Sequence, residues 1–195
     1  MPSFLDRLLG RGASAVPARR IRGIPVELVN SRPEIADADV LERLDEALGL
    51  VERYQPIRFR HLVRDIRAIR VERYACRGAF IPSEGTVITE LTFLARRDIT
   101  AAPVASSILH EGVHARVDAF ATRVLGGRSG EWSMAREERL CRRAELAFGR
   151  ALPGELGTPV IERAMATLDM ADQDVAPVVD WRVAEARIRE ADSRG

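Results

Sequence analysis

The sequence predicts an α+β protein that is mostly helical and contains a small antiparallel sheet. Apolar residues recur at helical spacing in several long segments, whereas β-branched residues are concentrated in the short segment 78–91. The chain has 195 residues, a length that suits one domain with a substantial core. These observations favour one folded domain at 23–195, preceded by an N-terminal arm at 1–22 with scattered Gly, Ala, Ser, Pro and Arg.

Composition and charge argue against several classes of protein. The formal net charge is +1, so no excess of charge indicates nucleic acid or an acidic membrane surface as a partner. Apolar runs stay well below the roughly 18 residues that span a bilayer, and the first ten residues are too interrupted for a secretory signal. We therefore expect a cytoplasmic protein that binds neither nucleic acid nor membrane. The two cysteines, Cys76 and Cys141, are expected to be free thiols, because no secretory signal is recognised. Neither belongs to a C-x-x-C pair, so a Cys-type zinc site is not expected.

The N-terminal half is predicted to combine short strands with helices. A strand at 24–30 is followed by an Asn-Ser-Arg-Pro turn. Apolar residues at helical spacing predict a helix from 37 to about 54, which Pro56 closes. The segment 57–75 reads as a helical turn and a following strand. His61 lies in that segment and is interpreted as a boundary histidine among arginines rather than as a catalytic residue.

A hairpin and several helices are predicted in the remainder of the chain. Two short strands, 78–82 and 86–91, are joined by a turn at 83–85. Asp98 or Thr100 is expected to cap the helix that follows the hairpin. Gly126 and Gly127 are expected to end the capped helix. Three further helices are predicted at 133–149, 158–168 and 178–190.

The strongest functional signal is the pentapeptide His-Glu-Gly-Val-His at residues 110–114. On a helix, His110 and His114 lie four residues apart on one face, so both imidazoles reach one metal ion while Glu111 points toward a water there. This H-E-x-x-H spacing is typical of zinc hydrolases. With three His and 17 Glu in the chain, the pattern has a chance expectation of only about 0.4%. The motif therefore indicates a zinc site.

The alternative interpretation is a helix that carries two partly exposed histidines. The apolar context argues against it, because apolar residues at helical spacing surround the motif and predict a largely buried helix. Buried His and Glu side chains need a partner, and a metal ion supplies one. The apolar residues expected to be buried are Ile108, Leu109, Val113, Val117, Phe120, Ala121, Val124 and Leu125.

The third zinc ligand is expected to be a carboxylate. No histidine follows the motif, and the metzincin extension fails at Val117 and Phe120, where Gly and His are required. Asp118 lies one turn further along the motif helix and is better placed to orient a ligand or bind an arginine. The carboxylate candidates are Asp118, Glu131, Glu137, Glu138 and Glu145.

The next helix carries most of these candidates on its predicted inward face. Glu138 shares its side with Cys141 and Glu145, whereas Glu137 shares its side with Cys141 and Ala144, so spacing leaves both glutamates open. A glutamate on this helix reaches the metal if the two helices pack antiparallel. The inward face is predicted to comprise Met134, Glu137, Glu138, Cys141, Ala144, Glu145, Phe148 and Ala151.

The H-E-x-x-H helix followed by the glutamate-bearing helix at 136–145 resembles the gluzincins, zinc peptidases whose third ligand is a glutamate on the second helix. The resemblance covers about 78–150. It implies a zincin-like core in which the sheet packs on the active-site helix. The helices at 158–190 lie outside the resemblance and are expected to pack against this core. It implies that His110 and His114 bind Zn²⁺ and that Glu111 is the general base. The implied third ligand is Glu138, with Glu137 as the alternative, and the residues expected behind the ligands are Asp118, Cys141 and Glu145.

The resemblance implies a zinc metallopeptidase that acts on a peptide or protein substrate. An edge strand of the 78–91 hairpin would pair with extended substrate, although an ordinary structural hairpin fits the pattern equally well. The tyrosine or histidine that stabilises the oxyanion in the family has no placed match, since Tyr54, His61 and Tyr74 all precede the motif. The alternative function is a non-catalytic zinc protein, either a scaffold or a regulator.

Overall fold

A five-stranded sheet organises the N-terminal half of the chain. The computed structural model describes residues 19–124 and 134–168, together with single positions at 170, 174, 183, 186 and 190. The sheet has the strand order β1-β2-β3-β5-β4. Its strands are β1 (Arg19–Ile21), β2 (Ile24–Leu28), β3 (Ala68–Glu72), β4 (Gly78–Ile81) and β5 (Thr86–Glu90).

The sheet is mixed, so the predicted purely antiparallel sheet is wrong. Strands β1 and β2 are antiparallel, as are β4 and β5, whereas β3 runs parallel to both of its neighbours. Two helices connect β2 to β3, which is the kind of crossover that parallel neighbours require. The predicted hairpin is confirmed in β4 and β5, and β4 lies at the end of the strand order. The predicted α+β class is therefore confirmed.

Helices account for most of the remaining described residues. They are α1 (Asp37–Tyr54), α2 (Pro56–Asp65), α3 (Leu91–Ala95), α4 (Ala101–Val124), α5 (Met134–Ala151), a 3₁₀ helix (Gly154–Gly157) and α6 (Thr158–Leu168). The predicted helices at 37–54, 133–149 and 158–168 are confirmed to within two residues at each end. The backbone N–H of Ala102 donates to Thr100 Oγ1 at 3.4 Å, so Thr100 caps α4 rather than Asp98.

Several predictions fall wholly or partly outside the described residues. These are the end of α4 at Gly126 and Gly127, the loop after it, and, apart from single positions, the helix at 178–190. The predicted arm at 1–22 is wrong at its end, because Arg19–Ile21 pairs with β2 as strand β1. Within the described part of the chain, no helix combines the length and hydropathy needed to cross a membrane.

The motif helix α4 is buried mainly along its N-terminal half. Every residue from 101 to 112 except Pro103 is buried, whereas Phe120 and Val124 are 44% and 61% exposed. The prediction of a largely buried helix is therefore confirmed for this half, whereas the expected burial of Phe120 and Val124 in the last turns is wrong. With 24 residues, α4 is about 36 Å long, so it extends past the strands and helices that cover its beginning. On α5, Met134 and Ala151 are also exposed rather than inward.

Close backbone contact fixes the C-terminal end of α5. A Cβ on Gly157 would lie 2.0 Å from the carbonyl oxygen of Gly149, so only glycine fits between α5 and the 3₁₀ helix. We expect Gly157→Ala to lower the free energy of unfolding by about 2 kcal/mol, because rigid backbone must move. Urea unfolding measures the change.

Gly49→Ala is the matched control for this substitution. The atoms nearest its added Cβ belong to the flexible guanidinium of Arg22, and alanine favours the helix. We expect this variant to stay within about 1 kcal/mol of the parent protein. Equal losses in both variants would contradict the tight contact at Gly157.

Candidate metal centre

The two motif histidines face helix α5, which packs antiparallel to α4. His110 lies opposite Glu145, and His114, one turn later on α4, lies opposite Glu137, two turns earlier on α5. The opposed order of these contacts establishes the antiparallel arrangement. His110 and Glu145 are buried, and His114 is nearly so. The site is therefore enclosed between the two helices.

Each histidine is oriented by a carboxylate at its Nδ1 atom. His110 Nδ1–H donates to Glu145 Oε1 at 3.0 Å, and His114 Nδ1–H donates to Glu137 Oε1 at 2.6 Å. A carboxylate at Nδ1 holds a neutral imidazole in the tautomer whose Nε2 lone pair is free for a metal. Both Nε2 atoms point inward, 3.2 Å apart.

Glu138 completes a triangle of potential donors with these two nitrogens. Its Oε1 lies 3.2 Å from His114 Nε2, and its Oε2 lies 3.4 Å from His110 Nε2. Zinc binds nitrogen and oxygen at about 2.0–2.1 Å, so the donors of a tetrahedral site are about 3.3–3.4 Å apart. The three side chains therefore fit a zinc ion in both chemistry and spacing.

The charges around the triangle favour a cation. Burial lowers the pKa of His110, but hydrogen bonds to Glu138 and Glu145 outweigh it and raise the pKa to about 10. The pKa of His114 is likewise raised, because its α5 partners outweigh burial. Burial raises the pKa of Glu138, yet the two histidines lower it by more. Burial also raises the pKa of Glu145, but His110 and Arg142 lower it by more. Ionised carboxylates thus surround both imidazoles.

Cys141 brings a thiol to the same place. It is fully buried, and its Sγ lies within 4.8 Å of both histidine donor nitrogens. Cys141 also contributes to the raised pKa of His114, which burial alone would lower. A thiolate is a good zinc ligand, so Cys141 is a second donor that α5 offers beside Glu138.

Glu111 lies next to the donors but contacts the sheet. It is 8% exposed, and its Cγ would lie 3.2 Å from a Cβ added at Gly78, the first residue of β4. Burial raises the pKa of Glu111, and the charges of His110 and His114 oppose that rise. The absence of a side chain at Gly78 gives this carboxylate room between α4 and the edge strand.

The other predicted site residues are dispersed. Asp118 is half-buried and makes no hydrogen bond or ion pair with any residue that the structure describes, so it does not orient a ligand there. Glu131 lies outside the described residues. His61 lies among arginines: burial and then the charges of Arg116 and Arg64 lower its pKa.

Residues that the sequence did not indicate surround the centre. Arg142 donates two hydrogen bonds to Glu145, at 3.1 and 3.0 Å, and so holds the carboxylate that orients His110. Tyr74, on the loop before β4, is half-buried; burial and then nearby negative charges, including that of Glu111, raise its pKa to about 12. Only the placement of the β3–β4 loop beside α4 reveals this neighbour, because no motif contains it.

Comparisons of the chain with protein-family models, with curated proteins and with solved structures found no match. The geometry of the site is thus the basis for its functional interpretation.

Proposed function

We propose that the protein is a zinc-dependent peptidase of the gluzincin type, with a zincin-like core formed by the sheet, α4 and α5. The observation that carries this proposal is the triangle of His110 Nε2, His114 Nε2 and the Glu138 carboxylate, with donor separations of 3.2–3.4 Å. Glu137 and Glu145 would orient the histidines from behind. The presence of Glu111 beside the triangle supports a catalytic rather than a purely structural role.

The chain's own residues supply the proton transfers of peptide hydrolysis. Bound zinc would supply Lewis acidity, lowering the pKa of a water toward about 7 and polarising the scissile carbonyl. The Glu111 carboxylate accepts the proton from the attacking water and then delivers it to the leaving amine. Its buried setting, which raises its pKa, makes the carboxyl a better proton acceptor at neutral pH.

Strand β4 is the proposed platform for the substrate backbone. It pairs with β5 on one side and lies at the end of the strand order, and its first residue touches Glu111. An extended peptide that adds to this edge would present a carbonyl beside the catalytic carboxylate. The substrate class that fits is therefore an extended peptide or an extended segment of a protein.

Metal analysis combined with a peptide-cleavage screen tests the proposal. The purified protein is expected to bind one zinc ion per chain and to cleave members of a peptide mixture, as detected by mass spectrometry. A chelator should abolish cleavage, and added zinc should restore it. If no metal binds at neutral or mildly basic pH, the proposal is wrong.

A non-catalytic zinc site is the second candidate function, and Cys141 is the observation that favours it. If the thiol filled the fourth position, the site would be closed to water and would serve to join α4 to α5. Chelation would then lower the melting temperature strongly, while no peptide would be cleaved at any zinc concentration. Zinc-dependent cleavage would instead reject this candidate.

A further inference from the structure

A cavity of about 360 Å³ lies beside the metal centre, between α3, the first turns of α4, α5 and α6. Glu145, which orients His110, forms part of its wall, so the cavity and the metal centre share a side chain. Phe93, Ile99 and Val160 contribute apolar surface. The cavity is large enough for the side chain or the terminal residue of a peptide.

Two arginines in the wall of this cavity have no ion-pair partner among the residues that the structure describes. Arg77 lies over the Phe93 ring, with Cζ 4.9 Å from the centroid, and neither Arg77 nor Arg163 forms an ion pair with any described residue. By contrast, Arg96 in the same wall is paired with Asp98. The wall therefore offers two guanidinium groups that no carboxylate of the described chain neutralises.

The two arginines are close enough to repel each other. Both side chains reach solvent. Partial burial lowers the pKa of Arg163 and the positive charge of Arg77 lowers it further, whereas the charges of Glu145 and Glu111 oppose this lowering. The negative charge of Glu145 is already shared with His110 and Arg142. Glu162 adds one exposed carboxylate to the wall, which leaves an excess of positive charge. An anion placed between Arg77 and Arg163 would relieve this repulsion.

We propose that the cavity is a substrate subsite in which Arg77 and Arg163 bind a peptide carboxylate, either an acidic side chain or a free C-terminus. Guanidinium groups bind carboxylates through paired N–H···O bonds, and the apolar walls suit the aliphatic part of the same residue. This inference rests on the proposed peptidase function, because it makes the carboxylate part of the substrate.

Ser107 lies one helical turn before Glu111 on α4, so the wall of the cavity is close to the catalytic carboxylate. Ser107 lines the cavity, and its Oγ lies 3.1 Å from the Cβ position of Gly78, which in turn is 3.2 Å from Glu111 Cγ. Both Ser107 and Glu111 face the first residue of β4. The subsite would therefore select a residue close to the cleaved bond.

Binding of three capped dipeptides to the full-length protein tests the subsite without requiring turnover. The probes are acetyl-Ala-Glu-amide, acetyl-Ala-Ala with a free C-terminus, and the neutral acetyl-Ala-Gln-amide, measured by calorimetry. We expect one of the two acidic probes to bind about 10- to 100-fold more tightly than the neutral one. The preferred probe identifies the source of the carboxylate.

Single substitutions then assign the preference to the two arginines. Arg163→Gln and Arg77→Gln should each remove most of the preference for the acidic probe. Arg60→Gln, which removes an exposed positive charge on α2, should leave that preference unchanged. Circular dichroism and zinc content verify that the variants are folded. The proposal is overturned if no acidic probe binds better than the neutral one, or if the Arg77→Gln/Arg163→Gln double variant keeps the preference.

The outcomes separate this inference from the proposed function. Arginine-dependent carboxylate binding without any zinc-dependent cleavage would refute the peptidase and leave the anion site standing. Cleavage that is indifferent to acidic residues and to Arg163→Gln would refute the subsite and leave the peptidase standing. If both hold, kcat/KM for the acidic substrate should fall about 10- to 100-fold in Arg163→Gln, with neutral substrates unaffected.

Discussion

Replacing Glu111 with Gln is expected to slow peptide hydrolysis by about 10²- to 10⁴-fold while leaving zinc bound. The amide has the size of the carboxylate but cannot accept the proton of the attacking water. Glu111 is not one of the donors that face the two histidine Nε2 atoms, so its replacement should not weaken the metal site. Initial cleavage rates and zinc content, measured on the same preparations, provide the comparison.

Glu46→Gln is the matched control for this prediction. It makes the same chemical change at a half-exposed carboxylate on α1. We expect it to cleave peptides at the parent rate, which would show that a Glu-to-Gln change as such does not lower activity. A Glu111→Gln protein that is as active as the parent would show that Glu111 is not the base.

The part of the site that the sequence predicts well is the part that one helix determines. The spacing of His110 and His114 places both on one face of α4, from which their Nε2 atoms reach a separation of 3.2 Å. The same local reasoning predicts most of the helices and the β4–β5 hairpin. Such features depend on neighbours within a few residues, so a single sequence contains the information.

Local spacing does not decide whether Glu137 or Glu138 is the third ligand. Adjacent residues on a helix point about 100° apart, so the rotation of α5 about its axis decides which one faces the metal position. In the structure, Glu138 faces both Nε2 atoms and Glu137 binds His114 Nδ1. The packing of Ala144 and Phe148 in the core sets that rotation, and periodicity alone does not reveal it.

The other features that the sequence did not predict depend on contacts between residues that are distant in the chain. Strand β3 pairs with β2 across two intervening helices and with β5 across β4, so both parallel pairings join segments that are distant in the sequence. The cavity arginines, Arg77 and Arg163, come from a loop before β4 and from α6, so no motif contains both. The exposure of Phe120 has the same origin, because periodicity predicts an apolar face but not how far the covering elements extend.

Removal of the Glu138 carboxylate is expected to weaken zinc binding by more than 100-fold. Among the described residues, Glu138 is the one whose carboxylate oxygens lie within 3.4 Å of both histidine Nε2 atoms, and Glu138→Ala deletes that carboxylate. Glu137→Gln and Glu145→Gln change groups that contact Nδ1 atoms instead, and loss of such orienting partners costs about 10- to 100-fold. Competition with a chromophoric chelator at fixed pH measures each affinity.

Removal of Glu138 also has a smaller effect that strengthens zinc binding. Glu138 helps to raise the pKa of both histidines, so its removal makes their protons easier to displace and favours metal binding. Deletion of a ligand outweighs that gain, because two imidazoles alone leave the metal without a third protein donor. We therefore expect Glu138→Ala to bind zinc more weakly than Glu137→Gln and Glu145→Gln at every pH between 6 and 8.

Cys141→Ala in the same series decides which side chain of α5 acts as the ligand. If Glu138 is the third ligand and the fourth position is open, Cys141→Ala should keep zinc within about tenfold of the parent affinity, as expected for a residue behind the ligands. A loss as large as that of Glu138→Ala would instead show that the thiol binds the metal, since its Sγ lies within 4.8 Å of both histidine nitrogens. That result would close the site to water and favour the structural role. Parent-like affinity in Glu138→Ala would contradict the three-donor triangle itself.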